Sequence, residues 1–255
     1  MSELTKQQIN QEVEYEYPYH FLPTWDGKDF SQTKSLAWGY EYLSYLYFVL
    51  DKVDENNFDS LLDVGCGDGR FLFEVNRKFS GKKLAGIDFS KRAINFAKIM
   101  TPEVEWVCGD INDENIFHME FDIITLIETL EHINPEEIKN FLRGIHKRLK
   151  EDGTFIVTVP SKNIRVSQKH YQHFDLDSLT EVLSPFFSVI DVNYLNRKSS
   201  LSRTLINEIL ANRLFYLRNR KLLKKIYTFY LSHHLHMKED NCRRIAVVCK
   251  KNRLN

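Results

Sequence analysis

The segment Leu61-Leu62-Asp63-Val64-Gly65-Cys66-Gly67-Asp68-Gly69-Arg70-Phe71 constrains this chain more than any other stretch of it. It reads as a buried strand, a glycine-rich turn and the opening of a helix, the unit from which open α/β sheets are built. Glycines at 65, 67 and 69 permit positive φ and let a ligand approach the backbone where a Cβ would clash. The spacing is G-x-G-x-G with an acid two residues before the first glycine, unlike the G-x-G-x-x-G of dinucleotide sites. Asp63 and Asp68 would repel a pyrophosphate and suit a ligand that carries an ammonium group.

The same texture recurs down the chain. Short apolar runs at 61–64, 84–87, 104–108, 123–127 and 155–159 are separated by helical patterns at 69–78, 91–100 and 135–149. That alternation predicts an α/β domain with a doubly wound parallel sheet and helices on both faces. A further helix is expected at 177–183 and strands at 187–194 and 245–250. The core thus occupies residues 59–195 and takes its final strand from 242–255. Residues 1–58 form an aromatic, helical cap with an amphipathic helix at 35–53, and residues 196–241 form a helical insertion that breaks the alternation.

A length of 255 residues suits one large domain with additions, and 43% apolar against 27% charged residues excludes disorder as the overall state. The 35 basic and 35 acidic residues cancel, which argues against a strongly basic nucleic-acid binder. The neutrality hides a separation: residues 196–255 hold 15 of the basic and 3 of the acidic residues, leaving 20 against 32 in the first 195. Cys66, Cys108, Cys242 and Cys249 show no C-x-x-C spacing and read as reduced core thiols. With no signal-peptide pattern and no apolar run of membrane-spanning length, the expected compartment is cytoplasmic.

Leu84-Ala85-Gly86-Ile87-Asp88-Phe89-Ser90 is a second buried strand ending in an acid. Asp88 lies about 20 residues beyond the turn, where a carboxylate accepts hydrogen bonds from both hydroxyls of a ribose. The third run ends in Cys108-Gly109-Asp110-Ile111, where a carboxylate and a neighbouring amide can read an adenine edge. Three acids at three successive strand ends describe a nucleoside pocket.

As a set, LLDVGCGDGRF, LAGIDFS, CGDI, FDIITLIE and KEDGTFIVTVPS resemble the class I S-adenosylmethionine-dependent methyltransferases, over about residues 59–192. The resemblance implies that Asp63, Gly65 and Gly67 hold the methionine end of S-adenosyl-L-methionine, Asp88 the ribose, and Asp110 with Ile111 the adenine. Cys66, Phe89 and Ile127 complete the implied cofactor-binding set. It also implies a Rossmann-like, seven-stranded sheet whose last strand, at 244–250, is antiparallel.

Ligands of open α/β sheets lie outside the carboxyl ends of the strands, which directs the acceptor to Glu128-Thr129-Leu130-Glu131-His132-Ile133. This is not the Asp/Asn-Pro-Pro-Tyr run of base-amino methyltransferases, and no Pro-Cys nucleophile is present. Glu128, Glu131 and His132 stand at i, i+3 and i+4, one face of a helical turn, about 5–6 Å apart. Such a trio either holds a divalent cation, magnesium or manganese, or makes His132 a general base, or merely hydrogen-bonds the histidine locally. The E-x-x-E-H pattern resembles the ubiquinone-pathway catechol O-methyltransferases and the enzymes that methylate the 3′-terminal ribose of small RNAs. In the RNA branch the motif binds metal with a downstream histidine, for which His170 and His173 are available. His132, Glu131, Glu128 and His173 are therefore the candidate catalytic residues, and the same four are the candidate metal ligands.

Tyr15, Tyr17, Tyr19, His20 and Phe21 either fold over the site or pack on the first helix; in the former case Tyr19 and His20, with His170, contact the acceptor. Residues 201–236 interleave apolar and basic positions, a pattern that attracts an anionic ligand or membrane surface, or docks on the acidic body. The expected function is O-methylation of a small-molecule or glycan acceptor carrying anionic groups. Metal-assisted ribose 2′-O-methylation of RNA, the less expected partner, is the enzymatic alternative. A catalytically inactive cofactor-binding scaffold is the alternative outside enzymes.

Overall fold

A computed structural model describes residues 5–14, 20, 23–25, 27, 30–32, 38–211, 215 and 217–253. The chain begins with α1 (Lys6–Glu14), a hairpin of β1 (Pro23–Trp25) and β2 (Phe30–Gln32), and α2 (Gly39–Asp54). Then come β3 (Ser60–Val64), α3 (Arg70–Lys78), β4 (Lys83–Asp88), α4 (Lys91–Met100), β5 (Glu105–Cys108) and β6 (Phe121–Ile127). α5 (Ile138–Arg148), β7 (Leu149–Pro160), α6 (Leu176–Leu183) and β8 (Phe187–Arg197) follow, and α7 (Leu201–Ala211) and α8 (Arg220–Tyr230) precede β9 (Cys242–Lys251).

The seven long strands form one sheet in the order β5-β4-β3-β6-β7-β9-β8. β3 to β7 pair in parallel, and β9 inserts antiparallel between β7 and β8. The architecture is therefore the expected seven-stranded α/β sheet with its last strand reversed. Its central strands β3, β6 and β7 are largely apolar because both faces are covered there. Leu61, Ile123, Ile156 and Val248 face one hydrophobic cluster, while their neighbours Leu62, Ile124, Val157 and Val247 face another, as the two-residue period of a strand requires.

The first cluster is where the additions join the core. Leu43, Leu46 and Val49 of α2 pack there with Ile206 and Leu210 of α7 and Leu223, Tyr227 and Tyr230 of α8. Phe30 of β2 stacks on Tyr227 at 5.0 Å, and Tyr40 meets Tyr230 edge-on at 4.6 Å. Cap and insertion, far apart in sequence, thus cover the same face of the sheet. The β1–β2 hairpin carries no alternation long enough to be read from sequence. Tyr15, Tyr17, Tyr19, Phe21 and Leu36 lie outside the described residues.

Cys66, Cys242 and Cys249 are buried thiols, but Cys108 is exposed, because β5 is an edge strand and Cys108 is its last residue. Among the described residues no helix is long and apolar enough to cross a membrane.

Candidate active site

Beyond β3 the chain turns through Gly65, Gly67 and Gly69 with φ of +71°, +55° and +80°. At Gly65 a Cβ would lie 2.3 Å from Thr129 Oγ1, so the left-handed backbone and the approach of the turn after β6 both demand glycine. Asp88 reaches back to this turn: its Oδ2 accepts the Gly67 N–H and its Oδ1 the Ser90 N–H, each at 2.9 Å. Asp63 is buried in the strand itself and accepts a 2.6 Å hydrogen bond from Thr125 Oγ1. Burial, opposed by that hydrogen bond and helped by the Asp88 charge, pushes the Asp63 carboxyl up to about 7. An ammonium group placed beside it would favour the charged form.

Asp68 has a different partner from the one its sequence position suggested. It is fully buried, and its carboxylate accepts from His20 Nδ1 at 2.9 Å and the His20 amide at 3.3 Å. The partner it takes belongs to the protein, because the cap lies directly over the turn.

A cavity of about 1000 Å³ opens on these residues, at the upper end of the range for ligand sites. Asp63, Gly65, Cys66, Gly67, Asp88, Phe89 and Ile127 line it, together with His20, Glu128, Glu131, His132 and His170. Asp110, Ile111 and His173 do not line it. Asp110 is exposed and accepts from the amide and side chain of Asn112, whereas the Ile111 side chain is buried in the second cluster. Tyr19 lies outside the described residues.

The turn after β6 departs from an ideal helical face. Glu128 has φ of +50°, a costly conformation for a residue with a Cβ, and Leu130–His132 form a single 3₁₀ turn. Glu128 is engaged by other partners. Its Oε1 accepts from Thr158 Oγ1 at 3.1 Å and its Oε2 from Arg244 Nε at 2.9 Å. Instead, Glu131, His132 and His170 converge, with one ligand atom from each lying within 4.8 Å of the others. Of the expected Glu128, Glu131, His132 and His173, two belong to this cluster with His170; Arg244 engages Glu128, and His173 hydrogen-bonds His170.

Hydrogen bonds set the tautomers in this trio. His132 Nδ1 is 3.0 Å from the Lys169 carbonyl, which can only accept, so Nδ1 carries the proton and Nε2 is an acceptor. His173 Nδ1 likewise faces the Ile164 carbonyl at 3.1 Å, so its Nε2 accepts from His170 Nδ1 at 2.8 Å. His170 is left with Nε2 as an acceptor. Burial, together with the neighbouring His132 and His173, lowers the His170 pKa to about 3, which keeps it neutral. Glu131 is buried, its Oε2 has no hydrogen-bond partner, and burial plus the Glu128 charge raise its pKa well above the carboxylate range. A buried carboxyl with a raised pKa beside two imidazole rings forms a site that can exchange a proton or hold an ion.

Several lining residues carried no sequence signal. Glu41 of α2, Arg203 of α7 and Arg243 and Arg244 of β9 meet at the cavity wall, joined by Tyr42 and Tyr45. Glu41 looks like any acid of an amphipathic helix, and only the packing of α2 beside α7 and β9 turns it inward.

Residues 61–153 match the family described as a methyltransferase domain. An uncharacterized methyltransferase of Synechocystis sp. is 30% identical over 95 residues, 37% of this chain and 44% of that protein. Sphingolipid C9-methyltransferase 2 of Gibberella zeae is 27% identical over 119 residues, 44% of this chain and 23% of that one. The chain thus spans less than half the length of these curated relatives. Among solved structures, the N-methyltransferase NodS of Bradyrhizobium japonicum, in complex with S-adenosyl-l-homocysteine, superposes with a TM-score of 0.60 at 13% identity, covering 98% of this chain and 100% of that one. That likeness concerns the fold; residues 61–153, which hold the glycine turn and the strand-end acids, are what matches the methyltransferase-domain family.

Proposed function

We propose that this protein transfers the methyl group of S-adenosyl-L-methionine to a hydroxyl oxygen of a small-molecule or sugar acceptor that carries anionic groups. The relatives named above include a carbon and a nitrogen methyltransferase, so the domain alone leaves the acceptor atom open. Oxygen is chosen on chemistry. A sulfonium methyl is displaced in line, and a hydroxyl, unlike a neutral amine, must lose its proton to become an effective nucleophile. The observation that carries the reading is the Glu131, His132 and His170 trio facing the cavity. Asp63, Gly67 and Asp88 would hold the cofactor, and the His132 Nε2 would take the acceptor's proton.

A divalent cation is the second reading, favoured by the buried Glu131 Oε2 that lacks a partner. Glu131, His132 and His170 would hold it. Two imidazoles and one carboxylate suit manganese or another transition ion better than magnesium, which prefers oxygen ligands. Once bound, such an ion would stabilise negative charge developing on the acceptor oxygen. Turnover on a panel of hydroxylated, phosphorylated and carboxylated acceptors, with manganese, magnesium or a chelator, tests both readings. Methylation of amines alone would sink the first reading, and full turnover in chelator the second.

A further inference from the structure

Charge divides this cavity along the sheet edge. β3, β6 and β7 are parallel, and β9 runs against β7 with Arg244 opposite Pro160, so the start of β9 lies at the same edge as the glycine turn. Three strand spacings of about 4.8 Å separate β3 from β9, roughly 14 Å. Asp63 and Asp88 stand at the β3 end. Arg243 and Arg244 stand at the β9 end, where Arg203 joins them from α7.

There, three guanidinium groups surround one carboxylate. Arg203 Nη2 donates to Glu41 Oε2 at 2.6 Å, Arg243 Nε to Glu41 Oε1 at 2.9 Å, and Arg244 Nη1 also to Glu41 Oε1. Arg244 reaches Glu128 as well, and its guanidinium sits 4.2 Å over the Tyr45 ring. Burial works to raise the Glu41 pKa, but Arg244, Arg243 and Arg203 outweigh it and hold it at about 2, so Glu41 is already ionised. Three positive charges therefore meet two negative ones, Glu41 and Glu128. Arg203 Nε is also buried and has no hydrogen-bond partner. A charge surplus and a buried donor without an acceptor both call for an anion from outside the chain.

We propose that Arg203 and Arg243, backed by Arg244, form the subsite for an oxyanion group of the acceptor, a phosphate or a carboxylate. The proposal deepens the functional reading above and rests on this cavity being the acceptor site. Guanidinium forks match both groups in bidentate geometry, and an incoming oxyanion competes with Glu41 for them. The helical insertion reads the substrate through Arg203, and the acidic and basic ends give a cationic cofactor and an anionic acceptor opposite poles.

Thermal unfolding of the full chain, saturated with S-adenosyl-homocysteine and titrated with inorganic phosphate, acetate or chloride at constant ionic strength, tests the subsite. Phosphate or acetate should raise the midpoint saturably beyond chloride, and whichever does so identifies the oxyanion. Arg203→Gln and Arg243→Gln should each weaken that response about tenfold. Glu41→Gln removes the internal competitor and should strengthen it several-fold, a change of opposite sign that a purely structural role would not produce. Oxyanions acting no differently from chloride, or Gln variants titrating like the wild type, would overturn the proposal. Should Arg203→Gln fail to fold, Arg243→Gln and Glu41→Gln decide. Calorimetric binding of S-adenosyl-homocysteine to the same samples separates the two ideas, because its absence would remove the methyltransferase reading and leave the anion result standing.

Discussion

His20 and Asp68, 48 residues apart, are joined by a 2.9 Å contact between Nδ1 and Oδ1 that fastens the N-terminal cap to the glycine turn. Arg70, just past the turn, completes the fastening: its Nη1 donates to the His20 and Pro23 carbonyls, each at 2.7 Å, while Nη2 pairs with the buried Glu74. The His20 ring stacks on Tyr42 of α2 at 5.1 Å. Turn, cap and first helix form one unit above the cofactor end of the cavity.

His20→Ala removes the side-chain partner of a buried carboxylate, which costs about 1–3 kcal/mol. Urea denaturation should register that loss, and S-adenosyl-homocysteine binding should weaken with it. Wild-type values for both would mean that the contact contributes nothing.

Asp88→Ala removes the acceptor for the Gly67 and Ser90 amides together with the expected ribose contact. Calorimetry should show cofactor affinity reduced at least about tenfold. Unaltered affinity would remove the pocket from the assignment.

Asp63 makes cofactor binding pH-dependent, because its pKa of about 7 in the free protein must fall when an ammonium group arrives. Binding then releases up to one proton, and affinity increases from pH 6 to pH 8. Calorimetry in buffers of different ionisation heat counts that proton. In Asp63→Asn the dependence should vanish; the same slope in the variant would exclude Asp63 as the ammonium partner.

Glu131 links stability to pH in the opposite sense to a salt-bridged acid. Its folded pKa is raised by burial above an unfolded value of about 4.3, so its contribution is fully present below that pH and is lost as pH rises toward the folded pKa. Glu131→Gln should gain on the wild type by up to about 1.4 kcal/mol per pH unit across that window. On a methylated acceptor the same variant should lose at least about 100-fold in turnover while still binding cofactor. A stability difference independent of pH, or undiminished turnover, would count against the role.

Gly65→Ala sets a Cβ against Thr129 in left-handed backbone. It should destabilise the fold by at least about 2 kcal/mol and abolish cofactor binding, both read by thermal shift with and without ligand. A variant that still responds to ligand like the wild type would mean that the turn can relax.

The strands of the large sheet, the glycine turn and the acids at the strand ends were all legible in the residue pattern. Strand periodicity, glycine φ and helix capping act within a few residues, as at Ser90, whose hydroxyl caps α4 through the Ala93 amide. Which acid of Glu128-Thr129-Leu130-Glu131-His132 joins the histidines was decided elsewhere: Glu128 pairs with Arg244, 116 residues away, only because β9 inserts beside β7 and carries Arg244 to that edge. His170 rather than His173 joins the trio for a similar reason, since the Ile164 carbonyl anchors His173 behind it. The arginine cluster around Glu41 arises from the packing of α2, α7 and β9, which supply its members. Side-chain partnership at this site depends on which strands and helices become neighbours, and local residue patterns carry no record of that order.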